Sequence, residues 1–193
     1  MSQEEIWDRL YASNSRAWRG NSRIPHPIGS GDALDLGCGN GKTVSSLIDA
    51  GYRVTGVDFS GKAVESCERM FGSSARFVRA DVTDLPFDDM TFDYITTVHV
   101  LEHLDDDMLA RCVSEMRRVL RPGGYVFARS FTPDDMRSEG RSGGEIFYRY
   151  YDVGSMASAF SGFDVVSAER VDERTRFGAT RSRVECLFRL NNP

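Results

Sequence analysis

No stretch of this chain approaches the 18 consecutive apolar residues that a membrane-spanning helix requires, so no such span is expected. The first 20 residues are polar and lack the apolar centre of a secretory signal, which makes the cytoplasm the expected location. Cysteine is scarce. Cys38, Cys67, Cys112 and Cys186 lie far apart and form no C-x-x-C pair, which argues for reduced, small apolar side chains rather than disulfides or a metal site. An excess of basic residues is also missing: the formal net charge of −5 gives no global attraction to phosphate backbones, and nucleic acid is not suggested as a partner. From Asp81 to Asp107 there are acids and no Lys or Arg, but arginines become frequent after Met136 and leave room for a local basic face.

What is present is an ordinary globular composition, 40% hydrophobic and 27% charged over 193 residues, which favours one domain with a sizeable core. Its centre is Ala33-Leu34-Asp35-Leu36-Gly37-Cys38-Gly39-Asn40-Gly41-Lys42, a short apolar strand that ends in three alternating glycines. Val44, Leu47 and Ile48 then recur at helical spacing. Glycines allow a sharp turn and close backbone approach to a ligand, and the helix start points unpaired N–H groups into the same space. The spacing G-x-G-x-G differs from the G-x-G-x-x-G of dinucleotide sites.

The run Asp35-Leu36-Gly37-Cys38-Gly39-Asn40-Gly41 resembles the first motif of the class I S-adenosylmethionine-dependent methyltransferases, within the methyltransferase domain 11/25-like group. Further likenesses follow in order. Tyr52-Arg53-Val54-Thr55-Gly56-Val57 is β-prone and ends at Asp58, placed to accept from ribose hydroxyls, with Phe59 beside it; Ser60 caps a helix bearing Val64, Cys67 and Phe71. A third strand, residues 75–80, leads to Asp81-Val82, which resembles the family's adenine loop.

The fourth strand, residues 92–98, runs into His99-Val100-Leu101-Glu102-His103-Leu104. His99, Glu102 and His103 also spell H-x-x-E-H, a zinc-hydrolase signature, but the helical pattern starts only after Asp105-Asp106-Asp107, so zinc stays a remote alternative and no metal is expected. Leu120-Arg121-Pro122-Gly123-Gly124 is a further family match that stops the helix and starts a fifth strand over residues 125–128.

At the start of the chain, Ile6, Trp7, Leu10 and Tyr11 fall at helical offsets, and Trp7-Asp8…Tyr11…Trp18 loosely resembles the opening of thiopurine and tellurite methyltransferases. After the fifth strand, residues 132–144 are polar and end in an aromatic and cationic cluster with Tyr148 and Tyr151, which makes them a candidate acceptor lid. Asp152 can cap a helix to Phe160, strand six is expected over residues 163–169, and Val184, Cys186, Phe188 and Leu190 alternate as in an antiparallel hairpin.

The resemblance implies an α/β, doubly wound, Rossmann-like fold: a seven-stranded sheet of order 3-2-1-4-5-7-6 with strand 7 antiparallel and helices on both faces. One domain is expected over residues 1–193, made of an N-terminal helix and loop cap (1–30), a cofactor half (31–131), a lid and helix (132–160) and a C-terminal hairpin (161–193). The implied cofactor is S-adenosyl-L-methionine, leaving S-adenosyl-L-homocysteine, held by Asp35, Gly37, Cys38, Gly39, Asp58, Phe59, Asp81, Val82 and Val98. His99 is the candidate base, and Trp7, Tyr11, Trp18, His103, Tyr148 and Tyr151 are candidate acceptor contacts. The chain has neither Asn-Pro-Pro-Tyr nor a Pro-Cys nucleophile, which points away from adenine amines, amides and cytosine C5. A small-molecule acceptor is expected, with tRNA, protein, or a cofactor-binding module without transfer as alternatives.

Overall fold

A computed structural model describes residues 2–13, 22–138 and 144–191. The chain runs α1 (Gln3–Ser13), β1 (Gly31–Leu36), α2 (Lys42–Asp49), β2 (Tyr52–Asp58), α3 (Gly61–Phe71), β3 (Ala75–Arg79), β4 (Phe92–Val98), α4 (Asp106–Val119), β5 (Leu120–Phe131), α5 (Val153–Ala159), β6 (Phe163–Arg174) and β7 (Thr180–Leu190). The seven strands form one sheet of order β3-β2-β1-β4-β5-β7-β6, the order expected from the motifs. Strands β1 to β5 are parallel and β7 is antiparallel to both of its neighbours. No described helix is long and apolar enough to cross a membrane.

Two cores follow from the period-2 alternation of strand side chains. Ala33, Tyr94 and Phe127 face one side of the sheet and pack with Val44 and Leu47 of α2 and Cys67 of α3. Leu34, Ile95, Val126 and Ala128 face the other and pack with Met116 of α4 and Met156 and Phe160 of α5's end. Side-chain caps fix where the helices begin. Ser60 accepts from Ala63 N, Asp105 accepts from Met108 N, and Asp152 and Ser155 form a reciprocal capping box. α4 also has Asp106 and Asp107 in its first turn and Arg117 and Arg118 in its last, in accord with the helix dipole.

Two element boundaries differ from expectation. β5 begins at Leu120 rather than at residue 125, because Leu120 pairs with Phe92 before an irregular stretch brings Tyr125 opposite Tyr94. Gly124 makes that close passage possible: a Cβ there would lie 2.9 Å from both the Arg121 and Asp93 carbonyl oxygens. β6 runs five residues past Glu169 to Arg174, extending the ribbon with β7. As an edge strand, exposed along most of its length, it carries no alternation to announce it.

Candidate active site

The strand order reverses between β1 and β4, and in open α/β sheets the crevice at the carboxyl ends of such strands is where ligands settle. Two adjoining cavities occupy it. The first, about 460 Å³, is bordered by Gly37, Asp58, Phe59, Asp81 and Val82. The second, about 260 Å³, is bordered by Cys38, Gly39, Val98, Lys42, Phe131 and Tyr148 among others. Trp7, Tyr11, Gly37, His99 and His103 border both, so the two cavities share a wall.

The glycine turn is tight because nothing else fits. Gly37 has φ +64°, and a Cβ there would lie 2.4 Å from Val100 Cγ2; Gly39 has φ +51°, and a Cβ would lie 2.8 Å from the Tyr11 hydroxyl. The Cys38 amide donates to the Val57 carbonyl at 2.8 Å, and the Gly39 amide donates to Asp58 Oδ2 at 2.9 Å. Asp58 Oδ1 accepts from Ser60 N at 3.0 Å, which ties the tips of β1 and β2 into one unit. Asp81 Oδ1 accepts from the Thr83 amide and hydroxyl, both at 2.8 Å, while its Oδ2 has no hydrogen bond among the described residues.

Asp35 borders neither cavity. It is 2% exposed behind the turn, where Oδ1 accepts from Thr96 Oγ1 at 2.7 Å. Burial pushes its carboxyl up to about 7, opposed by the Thr96 hydrogen bond and assisted by the charge of Asp58. Burial likewise pushes Asp58 up to about 6, against the two amides that favour its ionised form. Both folded-state values lie above the ordinary 3.8, so the stability these groups contribute is complete below that value and is lost as pH rises through 6 to 7. Lowering pH from 7.5 to 5.5 is therefore expected to stabilise the ligand-free chain by roughly 2–3 kcal/mol, and Asp35→Asn with Asp58→Asn should flatten that slope in denaturant titrations. A nucleoside that donates hydroxyls to Asp58 needs the carboxylate, so over the same interval its affinity should fall by about fourfold.

His99 sits at φ +61° after β4, with its ring stacked on Phe131 at 4.0 Å between centroids. Its Nδ1 lies 3.0 Å from Glu102 Oε1. Glu102 is only 1% exposed; burial raises its carboxyl, but the charge and hydrogen bond of His99 together with the charge of His103 and the Ser130 hydroxyl hold it below the ordinary carboxylate value. His103 lies in a short 3-10 turn, Leu101–His103, where its Nδ1 meets the Phe147 carbonyl at 3.0 Å and its ring lies edge-on to Trp7 and Tyr148. His99, Glu102 and His103 thus share no helical face, and no group of three or more His, Cys, Asp or Glu among the described residues could hold a metal ion. The H-x-x-E-H spelling is a strand end followed by a turn.

α1 roofs the crevice. Asp8 accepts from the Ser60 hydroxyl, Glu4 pairs with Arg79, and Arg9 pairs with Glu145 at 2.7 Å, joining the roof to the segment that ends the expected lid. Tyr148 reaches the second cavity, whereas Tyr151 does not. Tyr151 is 2% exposed and its hydroxyl donates to the Leu101 carbonyl at 3.2 Å, which makes it a core residue rather than an acceptor contact. Trp18 lies outside the described residues. Sequence reasoning singled out Glu102 only as part of a zinc site and did not assign Lys42, Arg129, Arg137, Arg181 or Arg183, all of which border the second cavity. The arginine-rich stretch after Met136 was the one signal of three of them.

A family profile described as a methyltransferase domain matches residues 34–128. A demethylmenaquinone methyltransferase from Clavibacter sepedonicus is 34% identical over 126 residues, 64% of this chain and 51% of that protein, so the match spans about half of the relative's length. An S-adenosylmethionine-dependent methyltransferase structure from Methanosarcina mazei aligns with TM-score 0.76 at 21% identity, covering 89% of this chain and all of that one. The 1,6-didemethyltoxoflavin-N1-methyltransferase of Burkholderia thailandensis, solved with bound 1,6-didemethyltoxoflavin and S-adenosylhomocysteine, aligns with TM-score 0.64 at 19% identity, covering 97% of this chain and 80% of that one. At these identities the structural likeness is one of fold. The sequence match lies on the glycine turn and the strands that flank it: residues 34–128 carry a methyltransferase domain, and the chain as a whole is similar in fold to S-adenosylmethionine-dependent methyltransferases.

Proposed function

We propose that the chain transfers a methyl group from S-adenosylmethionine to a small-molecule acceptor. The observation that carries this reading is the buried Asp58 carboxylate, anchored by Gly39 and Ser60 at the end of β2 and bordering a cavity at the strand-order reversal. Asp58 accepts the ribose hydroxyls, Phe59 and Val82 face the adenine, and Asp81 Oδ2 takes its exocyclic amine. Gly37, Cys38 and Gly39 admit the methionine part against backbone, with Asp35 buried behind the turn and Val98 beside it. When bound, the cofactor supplies an electrophilic methyl on a sulfonium.

The remaining work is orientation, which can contribute about 7–11 kcal/mol in favourable cases. Trp7, Tyr11, His99 and His103 border both cavities and are placed to hold an acceptor against the first one. An ionised Glu102 only accepts, so His99 Nδ1 carries the hydrogen between them and Nε2 presents a lone pair to an acceptor proton. Four free, buried cysteines support a reducing, cytoplasmic setting, and the single sheet supports one methyltransferase domain.

Incubation with methyl-labelled S-adenosylmethionine and a panel of phenols, thiols, amines and carboxylates, beside bulk tRNA and protein, tests this. Label is expected in the small-molecule fraction. Label in RNA or protein, or S-adenosylhomocysteine binding without any transfer, would overturn it.

A further inference from the structure

The alternation that builds the sheet also sends cations to one place. Odd residues of β5 and β7 share the face covered by α2, as Phe127 and Leu187 show by packing with Val44 and Leu47 there. Arg129 on β5 and Arg181 and Arg183 on β7 continue that parity towards the crevice, where Lys42 opens α2. Arg137 joins them from the loop after β5, stacked 5.5 Å over the Phe131 ring. These five cations border the second cavity, and the only carboxylate among its described lining belongs to Glu102, which faces His99.

Partners account for some of the charge. Arg129 pairs with Glu185 at 2.8 Å, and Arg183 is shared between Glu173 at 3.3 Å and Glu185 at 3.7 Å. Lys42 and Arg181 have no ion pair among the described residues, and Arg181 Nε is buried without a hydrogen-bond partner. Burial of Lys42, with Arg181, Arg129 and Arg183 adding repulsion, pulls its ammonium below the ordinary lysine value. Unpaired cations gathered in a recess of an acidic protein are costly unless an anion completes them.

We propose that the acceptor of this methyltransferase carries an oxyanion, a carboxylate or a phosphate, seated between Lys42 and Arg181, with its apolar body against Phe131 and Tyr148 and its reacting atom towards His99. This rests on the transfer reading above and narrows it to a substrate class. Guanidinium and ammonium donors to an oxyanion form charge-assisted bonds that a neutral isostere cannot replace. Aromatic walls on the same cavity suit a flat or apolar body.

The test uses the full chain saturated with S-adenosylhomocysteine, so that the carboxylate of the bound product has already taken whatever cation it needs. Benzoate and phenyl phosphate are titrated beside the neutral benzamide and benzyl alcohol, with binding read by ligand-observed NMR. The anions are expected to bind at least about tenfold more tightly than the neutral compounds. Arg181→Gln and Lys42→Gln should each cost the anions about tenfold while S-adenosylhomocysteine affinity stays within about twofold, which also reports that the variants fold.

The ratio of benzoate to phenyl phosphate tells carboxylate from phosphate. Equal binding of anions and neutral compounds, or anion affinity unchanged in both variants, overturns the proposal. Anion binding seen only without S-adenosylhomocysteine and displaced by it also overturns it, since the cations then serve the cofactor. If S-adenosylhomocysteine itself does not bind, the transfer reading fails, and the same titration of the ligand-free chain judges the cationic cavity separately.

Discussion

Asp58→Ala is expected to weaken S-adenosylhomocysteine binding by roughly two orders of magnitude in calorimetry. Hydrogen bonds to a charged acceptor contribute about 1.5–3 kcal/mol, and the ribose loses its acceptor outright. The variant has a second cost. Asp58 also receives the amides of Gly39 and Ser60, so its removal leaves two donors unpaired where the glycine turn meets α3. Asp58→Asn keeps one accepting oxygen and should fall between the variant and the wild type. It should also lose the pH dependence of binding, because the group whose burial raises its carboxyl to about 6 is gone. Affinity in Asp58→Ala equal to wild type would remove the ribose assignment.

The second large effect is on turnover. His99→Asn should lower kcat by about 10²–10⁴-fold with the acceptor returned by the labelling screen, the usual span for loss of a general base. Asparagine suits the variant because residue 99 has φ +61°, which Asn tolerates better than Ala. Glu102→Gln should lower kcat less, since the amide oxygen can still accept from His99 Nδ1 at this spacing while the carboxylate charge that orients the ring is lost. Neither change touches the glycine turn, so S-adenosylhomocysteine affinity should hold. An unchanged kcat in His99→Asn means that the acceptor arrives already deprotonated and His99 is a wall residue.

Local chemistry made the cofactor half readable before any coordinates. The Gly37, Gly39 and Gly41 turn, the acid tips Asp58 and Asp81, and the caps Ser60 and Asp152 each state a local requirement within a few residues, and the structure places the elements accordingly. Asp35 shows where such reading stops. Its motif position suggested direct ligand contact, but whether a carboxylate faces a cavity or the sheet interior depends on the neighbouring strand, and Thr96 of β4 claims it.

Tyr151 was grouped with Tyr148 by composition. The chain turns between them, with Tyr151 N bonded to the Phe131 carbonyl, and only Tyr148 keeps the cavity side. The cationic wall was legible only as an arginine-rich tail. Its assembly needs β7 inserted beside β5, a pairing of residues more than 50 positions apart that no local pattern records. Glu102 belongs to the same class: spelled as part of a zinc motif, it becomes a partner of His99 because β4 ends in a left-handed residue rather than a helix.

Calorimetric titration of the wild-type chain with S-adenosylhomocysteine and, separately, with NAD tests the central claim most directly. Micromolar binding of S-adenosylhomocysteine with no heat from NAD is the predicted result, because Gly37, Gly39 and Gly41 lack dinucleotide spacing while Asp58 borders the crevice on the proposed ribose side. Binding of NAD in preference to S-adenosylhomocysteine, or of neither, would contradict the assignment of the crevice between β1 and β4.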